Sequence, residues 1–247
     1  MGKNGPGRRI QKPILESRKS KGTLYYFFGR RKGHKLSSAR QNMLEEFLPR
    51  LLIPTFAADK SLDPALLFQF PVSGVWMEIG FGAGEHLAYQ AKRNPNIGFL
   101  GIEPFVNGLA ALISVIKEQD INNIRVLNDD VRLLLDNLAP NSLDRVFILF
   151  PDPWPKKKHH RRRLFSHGLL DQLNYTMKCG SELQFATDDG TYVQHVLRII
   201  SNRTDFKWEP TGPTDWRVRP FYSIETRYEA KARQGNRLRV YLNFKRC

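Results

Sequence analysis

The chain has 247 residues, 41% of them hydrophobic, and its 39 Lys/Arg outweigh 24 Asp/Glu to give a formal charge of +15 and a pI near 10.0. That length suits one large domain or one domain with appendages, and no apolar run approaches the roughly 20 residues needed to cross a bilayer. The basic N-terminus has no apolar signal stretch, Cys179 and Cys247 make no metal-ligand spacing, and NFKRC is not a prenylation box. The expectation is a reduced, cytoplasmic protein without a metal, whose partner is a polyanion: nucleic acid ahead of an anionic membrane.

Residues 1 to 40 hold twelve Lys/Arg and one acid, Glu16. Residues 1–35 read as a loosely attached basic arm, with one domain over 36–247 whose core starts at 74. Tyr25, Tyr26, Phe27 and Phe28 interrupt the arm and serve either to dock it or to stack on bases. Residues 37–53 have helical spacing, limited or kinked by Pro49 and Pro54. From 74 the rhythm becomes strand and helix in alternation. Strands are expected at 75–80, 97–103, 123–128, 143–150, 181–187 and 237–245. Helices are expected at 84–93, 105–119, 130–138, 163–178 and 191–201. Such alternation implies an α/β fold with a parallel sheet covered on both faces.

EIGFGAGEH, residues 78–86, closes the first strand with Gly80, Gly82 and Gly84. Glu85 stands where a dinucleotide fingerprint needs its last glycine, and no Lys-Ser or Lys-Thr of a phosphate loop follows. Glu78 at the strand end would repel phosphate and suits a cationic ligand. Glu103 of GIEP ends the second strand, placed to take ribose hydroxyls. Asp129 and Asp130 end the third, within reach of an adenine edge. A nucleoside with a positive tail and no phosphate matches S-adenosylmethionine.

The fourth strand runs into PDPWPKKKHHRRR, residues 151–163. Its prolines would hold Asp152 and Trp154 at the same sheet edge, with Lys156 and the 157–163 cluster facing a polyanion. The plainer alternative is a proline turn with a solvated basic face. ATDD, residues 186–189, brings Asp188 to this edge as a helix cap or a substrate contact. TRYE, residues 226–229, falls in a long loop before the last strand.

The ordered set EIGFGAGEH, GIEP, RVLNDD, FPDPWPKKKHHRRR, ATDD and TRYE resembles the bacterial tRNA (guanine-N7-)-methyltransferases, over about 75 to 245. The resemblance implies a Rossmann-like class I methyltransferase fold, with a mostly parallel seven-stranded sheet and helices on both faces. It implies that Glu78, Gly80, Gly82, Gly84, Glu103, Asp130 and Asp152 lie at the S-adenosylmethionine site. It further implies that Asp152 is catalytic, and that Lys156, Asp188, Thr226, Arg227, Tyr228 and Glu229 meet the substrate. The expected partner is tRNA at guanine 46 of the variable loop, with no membrane and no obligatory protein partner. The long basic arm departs from the family pattern. Guanine N7 carries a lone pair and no proton, which suits a site of carboxylates without a His–Asp or Cys–His base pair. Methylation of an exocyclic amine is the nearest rival, but Asp-Pro-Trp-Pro breaks the Asp-Pro-Pro-aromatic order of those enzymes. A non-catalytic RNA-binding protein on the same fold would be expected to lose these acids.

Overall fold

The computed structural model describes residues 27–54 and 61–247. The arm up to residue 26, with Tyr25 and Tyr26, lies outside the described residues. Seven strands form one sheet in the order β3-β2-β1-β4-β5-β7-β6. In chain order they are β1 (Gly74–Ile79), β2 (Ile97–Ile102), β3 (Ile124–Leu127), β4 (Leu143–Leu149), β5 (Met177–Thr187), β6 (Phe206–Lys207) and β7 (Val240–Arg246). The first five are parallel, and β7 runs antiparallel to both β5 and β6.

The helices are α1 (Ser38–Leu51), α2 (Glu85–Arg93), α3 (Val106–Gln119), α4 (Val131–Leu135), α5 (His167–Thr176), α6 (Gly190–Ser201), α7 (Thr214–Arg217) and α8 (Arg227–Gln234). Alternate residues of each strand point to opposite faces, so the sheet has two cores. Met77, Ile79, Leu100, Ile102, Val146 and Ile148 pack with residues of α4, α5 and α6. Phe99, Ile124 and Val126 pack with α1, α2 and α3. Burying a Leu or Ile side chain stabilises by about 1.5–3 kcal/mol, and both cores are rich in them.

The expected elements are present, with shifted ends. The helix expected at 163–178 begins only at 167, because Ser166 caps it by accepting from the Leu169 amide, and it ends at 176. Strand β5 then starts at Met177 rather than 181, pairing with Leu143 before a register shift to Arg145–Glu182. Helix α1 runs through Pro49 to Leu51. The last strand begins at 240, not 237.

TRYE is not loop. Thr226 is the N-cap of α8 and its hydroxyl accepts from the Glu229 amide at 3.2 Å. T-x-x-E is the sequence signature of such a cap, so the sequence itself held the signal. The short elements β6 and α7, and the 3-10 turns at Pro64–Leu67 and Lys157–Arg162, carry too few residues for periodicity to show.

The stretch 27–34 lies on the start of α3. The Arg31 carbonyl accepts from the Val106 amide, Asn107 Nδ2 donates to the His34 carbonyl at 2.8 Å, and Asn107 Oδ1 accepts from the Gly33 amide at 2.9 Å. Arg31 also pairs with Asp129 at 2.7 Å.

Gly108, in the first turn of α3, sits so close to the turn after β1 that a Cβ would lie 2.0 Å from the Gly82 carbonyl oxygen. That neighbour is backbone and cannot swing away. Overpacking of this kind costs about 1–3 kcal/mol. Gly108→Ala should therefore lower the melting temperature by several degrees. Gly168→Ala in α5, where a Cβ meets nothing within 4 Å, should leave it unchanged or raise it. Thermal unfolding of the two variants beside the parent checks this.

Candidate active site

A cavity of about 570 Å³ opens where the carboxyl ends of β1 to β4 meet. Each strand contributes the residues that follow it: Gly80 and Gly82 after β1, Glu103 to Phe105 after β2, Asp129 to Arg132 after β3, and Phe150 to Asp152 with Trp154 after β4. Tyr228 of α8 closes one side, and Phe27 to Arg30 another. This is where open α/β sheets bind ligands.

Gly80 and Gly82 both have positive φ, +77° and +59°. A Cβ on Gly80 would meet nothing within 4 Å, so the backbone there stays open to a ligand. Above Gly82 lies the Tyr228 ring, 2.9 Å from the place a Cβ would take. Gly84, also at positive φ, caps α2 and is not a lining residue.

Glu103 is 9% exposed and ties two turns together. Its Oε2 accepts from the Gly82 amide at 2.8 Å and its Oε1 from the Phe105 amide at 2.9 Å. Burial raises its pKa above the usual carboxylate value; the two amides oppose this, while the negative charges of Asp152 and Glu78 add to it. Two lone pairs on its oxygens remain for a ligand's hydroxyls. Asp130 caps α4 and binds Arg132 through both oxygens, at 2.8 and 2.6 Å. Glu78 is 3% exposed, outside the lining, with Oε2 held 2.8 Å from His86 Nδ1. Its charge reaches the cavity from beneath the turn.

The corner after β4 is bent by force of its surroundings. Phe150 and Trp154 adopt left-handed backbone, with φ of +50° and +46°. Such residues cost roughly 1–3 kcal/mol each and persist only when neighbours hold them. One restraint is the Phe150 amide, which donates to the Ala186 carbonyl at 2.8 Å. Another is Arg163, a buried member of the basic run. Its Nε donates to the Pro153 carbonyl at 2.9 Å, and its Nη1 and Nη2 donate to the Thr191 carbonyl and hydroxyl. Its guanidinium lies 4.7 Å from the Tyr192 ring centre.

The cluster therefore does not all face outward. Arg163 is a clamp, and Arg162 sits against Trp154 at 4.9 Å and Phe28 at 5.3 Å. Lys156, Lys157, Lys158 and Arg161 are exposed and make no ion pair with a described residue. Phe28 thus touches the body through Arg162 while staying 42% exposed. Asp152 is exposed to the cavity and makes no hydrogen bond or ion pair with any described residue.

The other expected substrate contacts separate. Asp189, not Asp188, caps α6, accepting from the Tyr192 amide at 2.8 Å. Asp188 pairs with Arg237 at 2.8 Å. Of TRYE, Tyr228 alone lines the cavity. Its phenol pKa is raised chiefly by burial, with Glu103, Asp152 and Glu85 adding negative charge nearby. Thr226 is the α8 cap, its hydroxyl accepting from the Glu229 amide. Arg227 pairs with Glu85 at 3.3 Å. Glu229 is buried, accepting from the Tyr241 hydroxyl at 2.5 Å and standing 3.6 Å from Arg219 Nη1. These contacts make Glu229 a support of α8. The inward turn of Arg163 and its packing on Tyr192 correct the expectation that the whole 157–163 cluster faces a polyanion; a basic run looks alike in sequence whichever way each residue faces.

A family model described as "Putative methyltransferase" matches residues 73–241. The tRNA (guanine-N(7)-)-methyltransferase of Rhodospirillum rubrum is 45% identical over 222 residues, covering 89% of this chain and 87% of its own length. The enzyme of the same name from Agrobacterium fabrum is 42% identical over 234 residues, covering 94% and 99%. Among solved structures, TrmN from Thermus thermophilus superposes with a TM-score of 0.51 at 12% identity, over 71% of this chain and 45% of that one, a likeness of fold alone. On these relationships the chain belongs to the tRNA (guanine-N(7)-)-methyltransferase family.

Proposed function

We propose that this chain transfers the methyl group of S-adenosylmethionine to N7 of guanine in tRNA, at guanine 46 of the variable loop. The observation that carries the reading is an unpartnered carboxylate, Asp152, on a strained corner at the rim of the acid-floored cavity, beside exposed lysines.

The residues present suit the methyl donor. Glu103 keeps two acceptor lone pairs for ribose hydroxyls. Asp130 lies at the wall after β3, suited to an adenine edge. Gly80 leaves backbone open, and Glu78 adds negative charge near a cationic tail. When bound, S-adenosylmethionine supplies an electrophilic methyl group on a sulfonium. The protein's work is alignment. Guanine N7 presents a lone pair and no proton, so no base has to uncover it, and the rate comes mainly from holding the two reactants in line. Asp152 offsets the positive charge that grows on the purine. Tyr228 offers an apolar ring face over Gly82. Lys156 to Lys158 hold phosphates. Asp188 and Arg237 form a salt bridge at the end of β5 that tRNA could open, freeing the carboxylate to accept from guanine N1–H.

Digestion of methylated tRNA transcript to nucleosides tests the reading: 7-methylguanosine is expected, and another methylated base would overturn the acceptor assignment. Asp152→Ala should lower kcat about a hundredfold while cofactor affinity stays near that of the parent; equal losses in both would count against a catalytic role.

Ionised Glu103 accepts ribose hydroxyls, and its protonated form loses acceptor capacity. Because its pKa is raised, cofactor affinity should start to fall, as pH is lowered, above the range where an ordinary glutamate titrates. Glu103→Gln should bind more weakly and lose that pH dependence, as read by calorimetric titration. Changing Lys156, Lys157 and Lys158 together to Gln should flatten the slope of log affinity for tRNA against log salt by roughly 2–3, with cofactor affinity unchanged.

A further inference from the structure

Phe221 is 97% exposed, a state that no packing role explains. It stands at the tip of a turn closed by the Ser223 amide donating to the Pro220 carbonyl at 2.9 Å. The next residue is firmly held. Tyr222 is part-buried with its ring 5.1 Å from the Arg145 guanidinium, which itself lies over Trp76 and pairs with Glu182 at 2.5 Å. The Tyr222 carbonyl accepts from Gln90 Nε2 at 2.8 Å. Gln90 also meets His86 Nε2 at 3.2 Å, and His86 Nδ1 meets Glu78. A buried chain of contacts thus runs from the strand end below the cavity to the turn that carries Phe221.

The same stretch of chain then follows α2 back toward the cavity. Tyr222 is held at Gln90, Arg227 at Glu85, and Tyr228 at Gly82. From Gln90 to Glu85 the helix rises about 7.5 Å. Phe221, next to Tyr222, therefore stands farther along α2 than Tyr228, away from the reacting base but on the same run of chain that reaches the cavity. Two arginines precede it closely in sequence, Arg217 and Arg219, the latter standing 3.6 Å from Glu229. Arg217 is exposed without an ion pair to a described residue, and Val218 beside it is 59% exposed. An exposed ring on an anchored turn, with an unpaired arginine four residues before it, has the makings of a stacking platform for an unpaired base.

We propose that Phe221 stacks on a nucleotide flanking the guanine that enters the cavity, and that the Gln90–Tyr222 contact holds this platform in register with the site. This rests on the tRNA reading above. Stacking is sequence-tolerant and carries no charge, so it is separable from phosphate contacts by salt.

The test is tRNA binding by the parent protein and by Phe221→Ala, Phe221→Trp and Phe221→Leu over a range of salt, with cofactor affinity and thermal unfolding measured alongside. Phe221→Ala should weaken tRNA binding roughly tenfold at every salt concentration. The salt slope, cofactor affinity and melting temperature should match the parent, and Phe221→Trp should restore binding where Phe221→Leu does not. Unchanged affinity in Phe221→Ala, equal rescue by leucine, or a reduced salt slope would overturn the platform. A parent protein that neither binds nor methylates tRNA would instead overturn the reading on which it rests, while a loss confined to the variants bears on Phe221 alone.

Discussion

Everything at the cavity depends on one buried carboxylate. Glu103 joins the Gly82 amide to the Phe105 amide, so the turn after β1 and the start of α3 are held as one piece. Hydrogen bonds to a charged group are worth about 1.5–3 kcal/mol each, and these two offset part of the cost of burying the charge. Their geometry also brings the Gly82 carbonyl against Gly108, where only a glycine fits. The floor is rigid for a reason that joins electrostatics to sterics: the charge draws the turns together until backbone touches backbone. The same burial that raises the Glu103 pKa makes its remaining lone pairs strong acceptors for a ligand.

The rim is held differently. The corner at 150–154 stores strain in Phe150 and Trp154, and Arg163 keeps it from relaxing by tethering Pro153 to the start of α6. Proline alone would stiffen this stretch without saying where it points. The clamp says where, and it leaves Asp152 without a partner of its own. A strained corner that presents an exposed, unpartnered carboxylate is the feature on which the proposed catalytic role of Asp152 rests.

The third wall belongs to the chain between Pro220 and Glu229. It lies along α2 and is pinned at three places, with the Thr226 cap and the buried Glu229–Tyr241 contact fixing α8 on the sheet. Tyr228 is thereby delivered to Gly82. Floor, rim and side wall meet at the same sheet edge because the parallel strands finish there and the antiparallel β7 begins there, Val240 opposite Thr187.

Alternation of apolar strands and amphipathic helices was enough, in the sequence, to establish the α/β sheet and the strand ends where acids gather. This is because periodicity and glycine placement are local properties. Glu103, Asp152 and the glycine turn were legible for that reason. Orientation was not. Arg163 is one arginine among three in a row, Asp188 and Asp189 are adjacent and alike, and Glu229 reads as any surface acid. The tertiary structure assigned the clamp and the buried support, since each depends on a partner distant in the chain, Thr191 for Arg163 and Tyr241 for Glu229, while the Asp189 cap is local and was decided by where α6 begins. Local chemistry determined which residues were available, and the packing of distant segments decided which of them stayed free to act.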